Sequence, residues 1–466
     1  MSERKLSNDN SKNLSFVIDL SNIKKILIVN SRSSDRKLTG MVMWGAWAVA
    51  SYYKKIIEGS DVKFLDENNE DDFFKKFKEA LKDRDYVGFS LTSMQIKYTV
   101  PLVKYIRKNY PQIKIVAGGI HPILFPNQDY GDYFDEVVDY ELPKDTFDYS
   151  LLPEQVKDVY RKKRGQVVTG FNCSYKCAFC INSVRNCKYE GVPVEKVLAD
   201  IDYVVQEFNP PKIYFRDEDF FQDIDKAKAI IDYILDKKYK FVWDTSSRVI
   251  HFMPRRIDDD LLPKMVKSGC QQLRFGVESG SQRVLNYLRK GQTVQQIKYA
   301  VEQCVKYGIH ATCSIMTGIP TETAEEKEET YKLIDVLSSH GSLVDILGPQ
   351  IYRPYPGGLL YEEIKKYGFK MPDTFEGWIT YYDENPLGDV FDTEVNYPWL
   401  NEEENKILPY TWVVAHYGLN YSNSKNPIKK LIGWWLMGHW KLRWFDGLDV
   451  KLFMFLRKKF LRTDLE

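Results

Sequence analysis

A repeated exchange of short aliphatic runs with helical patterns constrains the fold of this chain more than any other feature. Lys25-Ile26-Leu27-Ile28-Val29-Asn30 is a strand-sized apolar run closed by turn formers, as expected of a strand buried on both faces. A helical pattern follows over Met41–Ile57, then strands at Val62–Asp66, Tyr86–Ser90 and Ile113–Ala117, separated by helices at Asp71–Lys82 and Val100–Asn109. Parallel strands require such crossovers, so the order predicts an α/β fold beginning with a Rossmann-like doubly wound parallel sheet. Ligands of such sheets bind outside the carboxyl ends of the strands. Loops 31–40, 90–93 and 118–122 occupy that edge. Gly118-Gly119 lets backbone approach a bulky ligand, and Ser90 and Thr92 offer hydroxyls.

From Gly165 a second alternation begins, with a strand at Gln166–Thr169 and others near Lys212–Phe215, Lys240–Asp244, Gln272–Val277, Ala311–Met316 and Leu347–Tyr352. Helices fit Val194–Phe208, Lys226–Lys237, Asp259–Ser268, Val294–Tyr307 and Glu325–Ser338. Six strands with helices between them predict a partial (β/α)6 TIM-type barrel, whose chemistry belongs at the carboxyl ends of the strands. At 466 residues the chain exceeds what one core supports. The expected domains are a Rossmann-like domain over 1–150, with a polar lead-in to about residue 22, a barrel over 151–360 and a small, mainly helical C-terminal domain over 361–466. Leu142–Lys163, rich in Pro and charge, reads as the connector.

The loop after the first barrel strand carries Cys173, Cys177 and Cys180 at the spacing C-x3-C-x2-C. Closed iron–sulfur or zinc sites take four protein ligands, whereas three leave one metal position open to an outside molecule. The competing readings are a zinc knuckle completed by a distant ligand, or three reduced core thiols. Cys187, Cys270, Cys304 and Cys313 lack cluster spacing and read as ordinary buried thiols. An odd total of seven cysteines, three of them clustered, fits a reducing compartment better than a disulfide framework.

The triad, with an aromatic just before its last Cys, resembles the radical S-adenosylmethionine superfamily. That resemblance implies a 4Fe–4S cluster held by Cys173, Cys177 and Cys180, with S-adenosylmethionine on the fourth iron, cleaved by an electron to methionine and a 5′-deoxyadenosyl radical. Further segments resemble the same family at matching strand ends: Arg216-Asp217-Glu218-Asp219, Val277-Glu278-Ser279, Thr317-Gly318-Ile319-Pro320 and Tyr352-Arg353-Pro354-Tyr355-Pro356-Gly357. By carry-over, Asp217 and Glu218 receive the ammonium of S-adenosylmethionine, Glu278 contacts methionine or ribose, and Gly318 and Pro320 line adenine. Carboxylates suit a cofactor that is both sulfonium and ammonium. Arg248 reads equally as a carboxylate partner or a surface ion pair.

The first third resembles the cobalamin-binding domain that precedes the radical module in one branch of this superfamily. The implied contacts are Asp35, Lys37 and Gly40 in the first loop, then Ser90, Thr92, Gly118 and Gly119. Lys37 stands where methyl-transferring domains carry a cobalt-ligating His in D-x-H-x-x-G, so no protein imidazole is expected below the cobalt. The usual acidic G-E-G-E stretch is absent, Phe134–Leu142 reading FDEVVDYEL. A domain serving only as scaffold is the alternative. His121, beside the glycine pair, reads as a loop residue bonded to backbone and not as a ligand.

Hydrophobic residues at 44%, charged residues at 28% and a net charge of +1 describe a folded domain protein and argue against nucleic-acid binding through overall basicity. Met1–Asn13 is polar, without a signal-peptide core, and no apolar run approaches the roughly eighteen residues of a membrane span, so a cytoplasmic protein is expected. Lys425–Glu466 holds ten Lys or Arg and four acids, a net +6, interleaved with Trp and Phe. Such a segment either packs its aromatics on the parent protein or makes peripheral contact with the inner membrane face. The combined expectation is a cobalamin-dependent radical enzyme, a C-methyltransferase on an unactivated carbon of a small-molecule or lipid-like substrate, with an external low-potential electron donor. An anaerobic cyclase or ring-remodelling enzyme with the same cofactors is the rival, and a non-catalytic tetrapyrrole- or metal-binding protein the alternative from another class.

Overall fold

The computed structural model describes residues 24–34, 42, 44–139, 147–184, 188–384 and 396–460. They divide into two compact units, Met1–Val156 with Asp373–Thr380, and Lys157–Pro372 with Tyr381–Glu466.

In the first unit β1 (Lys25–Asn30), α1 (Trp44–Ile56), β2 (Asp61–Asp66), α2 (Phe73–Leu81), β3 (Tyr86–Ser90), α3 (Ile96–Asn109), β4 (Lys114–Gly118), α4 (Ile120–Leu124) and β5 (Glu136–Val137) follow in order. The strands form one all-parallel sheet in the order β2-β1-β3-β4-β5. This is the doubly wound Rossmann-like arrangement, and its strand order reverses between β1 and β3. β1 is buried at five of six positions because helices cover both faces. Helix α3 begins at Ile96, four residues before its sequence-predicted start, because a one-turn helix at Ser93–Gln95 leads into it, capped by reciprocal Thr92 and Gln95 bonds.

Helix α5 (Glu154–Lys162) lies inside the stretch read as a connector. The second unit continues with β6 (Gly165–Val167), β7 (Gly170–Phe171), α6 (Ile181–Val184), β8 (Glu190–Gly191), α7 (Val194–Phe208), β9 (Lys212–Phe215), α8 (Ile224–Lys237), β10 (Val242–Ser247) and α9 (Leu261–Lys267). Then come β11 (Cys270–Glu278), α10 (Gln282–Tyr287), α11 (Val294–Lys306), β12 (His310–Thr317), α12 (Ala324–Ser338), β13 (Val344–Ile351) and α13 (Leu359–Lys365). Six parallel strands, β13-β12-β11-β10-β9-β6, make the partial barrel, while β7 and β8 pair separately as an antiparallel ribbon. β12 alternates half-buried and fully buried side chains, one set pointing to each side of the barrel wall. Trp243, Phe215 and Phe275 fill its core.

The segment after the barrel is helical: α14 (Gly377–Glu384), α15 (Glu402–Ser422), α16 (Pro427–Leu442) and α17 (Leu448–Phe460). Asn401 and Glu404 form a capping box that starts α15, and Asn426 caps α16 ahead of Pro427. α15 packs against β13 and α16, so these last helices close one side of the barrel unit.

Candidate functional site

The three cysteines lie on the loop between β7 and α6. Asn172 enters it with φ +62, a left-handed turn that asparagine tolerates. The backbone is then pinned from three directions: Ala178 N–H donates to Leu288 O (2.9 Å), Leu360 N–H donates to Ala178 O (3.2 Å), and Ser174 exchanges bonds with the Gln222 amide. Cys180 N–H donates to Cys177 O (3.0 Å) in the turn that leads into α6. Cys177 is buried, while Cys173 and Cys180 are partly exposed. Burial pushes the Cys173 thiol up to about 12 and raises that of Cys180, with Glu218 adding to both shifts, while Arg248 opposes the first and Lys290 the second.

Charged groups from three later strand ends, those of β9, β10 and β11, lie around this loop. After β10, Arg248 lies over the Tyr175 ring at 3.8 Å, donates from Nη1 toward Cys177 Sγ at 3.5 Å, and donates from Nη2 to Lys290 O. It is 8% exposed, and its Nε has no bonding partner, so the surface ion pair considered from sequence is not what forms. At the last position of β11, Glu278 has φ +68 and accepts from Lys290 Nζ at 3.1 Å, both side chains being buried. After β9 the acidic run splits by neighbour. Asp217 accepts from Thr169 Oγ1 (2.9 Å) at the corner between β6 and β7, and burial raises its carboxyl to about 7. Glu218 is exposed, takes the Asn182 amide, and is the member of the adjacent pair whose charge reaches Cys173 and Cys180. Asp219 is buried against His251 Nε2, with both oxygens within 2.9 Å.

After β12, Gly318 has φ +70, its N–H donates to Glu322 Oε2 (2.9 Å), and its carbonyl accepts from Trp399 Nε1 (2.9 Å). Glu322 is raised to about 7 by burial. Pro320 is buried beside this turn. Lys290, His251, Glu322 and Trp399 were not singled out from sequence. Isolated residues of these types carry no spacing signal, and only the fold brings them to the strand ends.

Among the described residues, no three His, Cys, Asp or Glu side chains are gathered as the ligand set of a single ion. A 4Fe–4S cluster asks for something different, since each ligating sulfur bonds a different iron and the sulfurs stay farther apart than ligands of one ion. One short pinned loop carrying three thiols, with a buried guanidinium donating toward one of them, fits that demand.

On the first sheet, Asp35, Lys37 and Gly40 lie outside the described residues, as does Cys187 of the second unit. Ser90, Thr92, Gly118 and Gly119 come together at the carboxyl ends of β3 and β4. Gly119 has φ +99, and a Cβ there would lie 2.8 Å from Leu91 N, so the fold itself requires glycine. His121 is fully buried between Ser93 Oγ and Gln128 Oε1, each at 2.8 Å, and burial pushes it down to about 4. Its ring partners are side chains and not the backbone expected, and they occupy both ring nitrogens. At the carboxyl ends of β1 and β2, Asp66 accepts from Asn30 and Asn69, and Gln95 donates to Asn30 and Ser31, a buried network that fixes the entry to the first loop.

Residues 167–334, from the first barrel strand into α12, match the model of the Radical SAM superfamily. That stretch is similar to radical SAM domains. Among curated relatives, an uncharacterized methyltransferase of Pyrococcus horikoshii is 33% identical over 46% of this chain and 45% of its own length. An anaerobic magnesium-protoporphyrin IX monomethyl ester cyclase of Rubrivivax gelatinosus is 25% identical over 50% of this chain and 42% of its own. The chain therefore spans less than half the length of these relatives. The solved structure of the cobalamin-dependent S-adenosylmethionine radical enzyme OxsB, with aqua-cobalamin and S-adenosylmethionine bound, aligns over 94% of this chain and 75% of that one, with TM-score 0.65 at 15% identity. At that identity the likeness is one of fold, and it extends beyond residues 167–334 to nearly the whole chain.

Proposed function

We propose that this protein is a cobalamin-dependent radical S-adenosylmethionine enzyme, a C-methyltransferase acting on an unactivated carbon of a small-molecule or lipid-like substrate. The observation that carries the reading is the order of parts in one chain: a doubly wound parallel sheet, then a six-stranded partial barrel that matches the radical SAM model and has three cysteines on its first loop, a fold shared with a cobalamin-dependent enzyme of this kind. The methyltransferase relative favours methyl transfer.

Cys173, Cys177 and Cys180 would hold the cluster, and Ser90, Thr92, Gly118 and Gly119, with Asp35, Lys37 and Gly40, would border cobalamin. When bound, these groups and S-adenosylmethionine supply hydrogen abstraction and the methyl carrier. The chain's own residues hold and orient. Glu218, Glu278, Gly318 and Pro320 would contact S-adenosylmethionine, with Glu278 aimed by Lys290 and Glu218 by Asn182. Asp217, assigned by resemblance to the same ammonium, would act at one remove, fixing the loop through Thr169. Arg248 would donate to the sulfur of Cys177. The electron would come from an external low-potential donor. A cytoplasmic site with peripheral contact at the inner membrane face completes the reading.

The cyclase relative favours a second reading, ring formation with the same cofactors and no methyl transfer. Anaerobic reconstitution with iron, sulfide and hydroxocobalamin, followed by product analysis under strong reductant, separates them. S-adenosylhomocysteine together with 5′-deoxyadenosine supports methyl transfer, and 5′-deoxyadenosine alone supports the rival. Absence of any S-adenosylmethionine cleavage would leave a non-catalytic cofactor-binding protein and sink both.

A further inference from the structure

Helix α16 presents two apolar faces. Gly433, Leu436 and Trp440 turn inward, where the Trp440 indole donates to Asp335 at 2.6 Å and its ring meets Tyr331 at 5.1 Å. The other face carries Ile428, Leu431 and Trp434, which are 71%, 67% and 59% exposed. α17 repeats the pattern with Leu448, Leu452 and Phe455 at 84%, 56% and 60% exposure, placed on one side by their spacing of four and three. Trp435 joins the two helices, its indole donating to Asp449 at 3.2 Å and its ring lying 5.8 Å from Phe453. The two stripes therefore border one seam. Six large apolar side chains exposed on two joined helices mark a surface that something covers.

Charge selects the occupant. Residues 425–460 contain nine Lys or Arg against two Asp, in a chain whose overall net charge is only +1. Lys430 Nζ sits 5.2 Å from the Trp434 ring, on the same exposed turn as the apolar stripe. A second copy of this chain would set like charge against like across the seam. An anionic bilayer satisfies both features at once, because tryptophan, phenylalanine and leucine enter the headgroup boundary while lysines meet lipid phosphates. No helix among the described residues is long and apolar enough to cross a membrane, so the contact is peripheral. We propose that the α16–α17 face seats this protein on an anionic lipid surface. The proposal deepens the peripheral contact in the proposed function and rests on this surface alone, so its failure would leave the chemistry assigned to the barrel untouched.

The test is flotation of the full chain with phosphatidylcholine vesicles containing roughly a third phosphatidylglycerol. The wild-type chain is expected to float with these vesicles, to stay behind with phosphatidylcholine alone, and to be released by high salt. Leu431→Ser with Leu452→Ser should lower partitioning at least about tenfold, and Lys430→Gln or Lys451→Gln about fivefold each. Tyr299→Ser, which removes a 49% exposed apolar ring from α11, should change nothing. The proposal is overturned if the wild-type chain ignores the anionic vesicles, or if the serine pair leaves partitioning intact. It is equally overturned if the serine pair converts a lipid-free dimer to a monomer, since the face is then a contact between copies.

Discussion

Replacing Lys290 by Met tests how the strand-end carboxylate is held. Lys290 is 5% and Glu278 6% exposed, with Nζ and Oε1 3.1 Å apart. Glu278 also has φ +68, a conformation costing a non-glycine residue about 1–3 kcal/mol and kept only where its surroundings impose it. Gly276 makes room for the pair, since a Cβ there would lie 2.8 Å from Lys290 Nζ. Methionine keeps most of the stem's volume while stranding the carboxylate, which costs about 3–5 kcal/mol for a buried pair. In a unit of this size that corresponds to a fall in Tm of roughly 5–8 °C. Calorimetry of the ligand-free chain reads it, with the barrel transition followed separately because two units need not unfold together. Adding Glu278→Gln removes the stranded charge and should restore stability to within about 2 kcal/mol of wild type. A fall of less than about 2 °C for Lys290→Met, or a double variant no more stable than the single one, would refute the reasoning.

Three further outcomes are expected. Glu322, raised from its ordinary 4.5 to about 7 by burial, binds its proton more tightly folded than unfolded, so it lowers stability as pH rises from about 4.5 to 7. Glu322→Gln removes that slope, and its stability relative to wild type should improve by about 3 kcal/mol between pH 4 and pH 8; parallel pH profiles for the two chains in denaturant melts would contradict this. Gly119→Ala, with its new Cβ 2.8 Å from Leu91 N and 2.9 Å from Leu91 O, should destabilise the first unit by about 2–4 kcal/mol, against about 1 kcal/mol for Gly59→Ala, where φ is +70 but nothing lies within 4 Å. Equal losses at both sites would remove the packing argument. Arg248→Gln withdraws the donor beside Cys177, and the reconstituted cluster should become about tenfold harder to reduce, roughly 59 mV more negative in a one-electron redox titration; an unmoved midpoint assigns Arg248 to another partner.

Much of this architecture was legible because both sheets are parallel. A parallel strand buried on two faces is a short aliphatic run, and its crossover helix follows with turn residues between, so Lys25–Asn30 and Lys212–Phe215 could be read to the residue. Edges and short pairings were not legible. The β7–β8 ribbon has two residues per strand, too few for any periodicity, and α5 carries so much charge that it passed for a linker. The cysteine loop announced itself by spacing. Asp217 and Glu218 were adjacent and looked equivalent, yet neighbouring residues after a strand point to opposite sides, one to Thr169 and the other toward the cysteines. The Glu278–Lys290 pair joins residues twelve apart across a helix, a contact that no local pattern records. The basic aromatic tail was readable as amphipathic, but only the structure separates Trp440, which packs on α12, from Trp434, which faces solvent.

The most direct test of the central claim is iron and sulfide content with electron paramagnetic resonance on the anaerobically reconstituted wild-type chain, beside Cys173→Ala, Cys177→Ala, Cys180→Ala in one variant. The expected result is about four irons per chain, a reduced-cluster signal that changes when S-adenosylmethionine is added, and loss of both in the variant with its far-ultraviolet circular dichroism unchanged. A wild-type chain that binds zinc with all four positions filled, or a variant that keeps its iron and still cleaves S-adenosylmethionine, would contradict it.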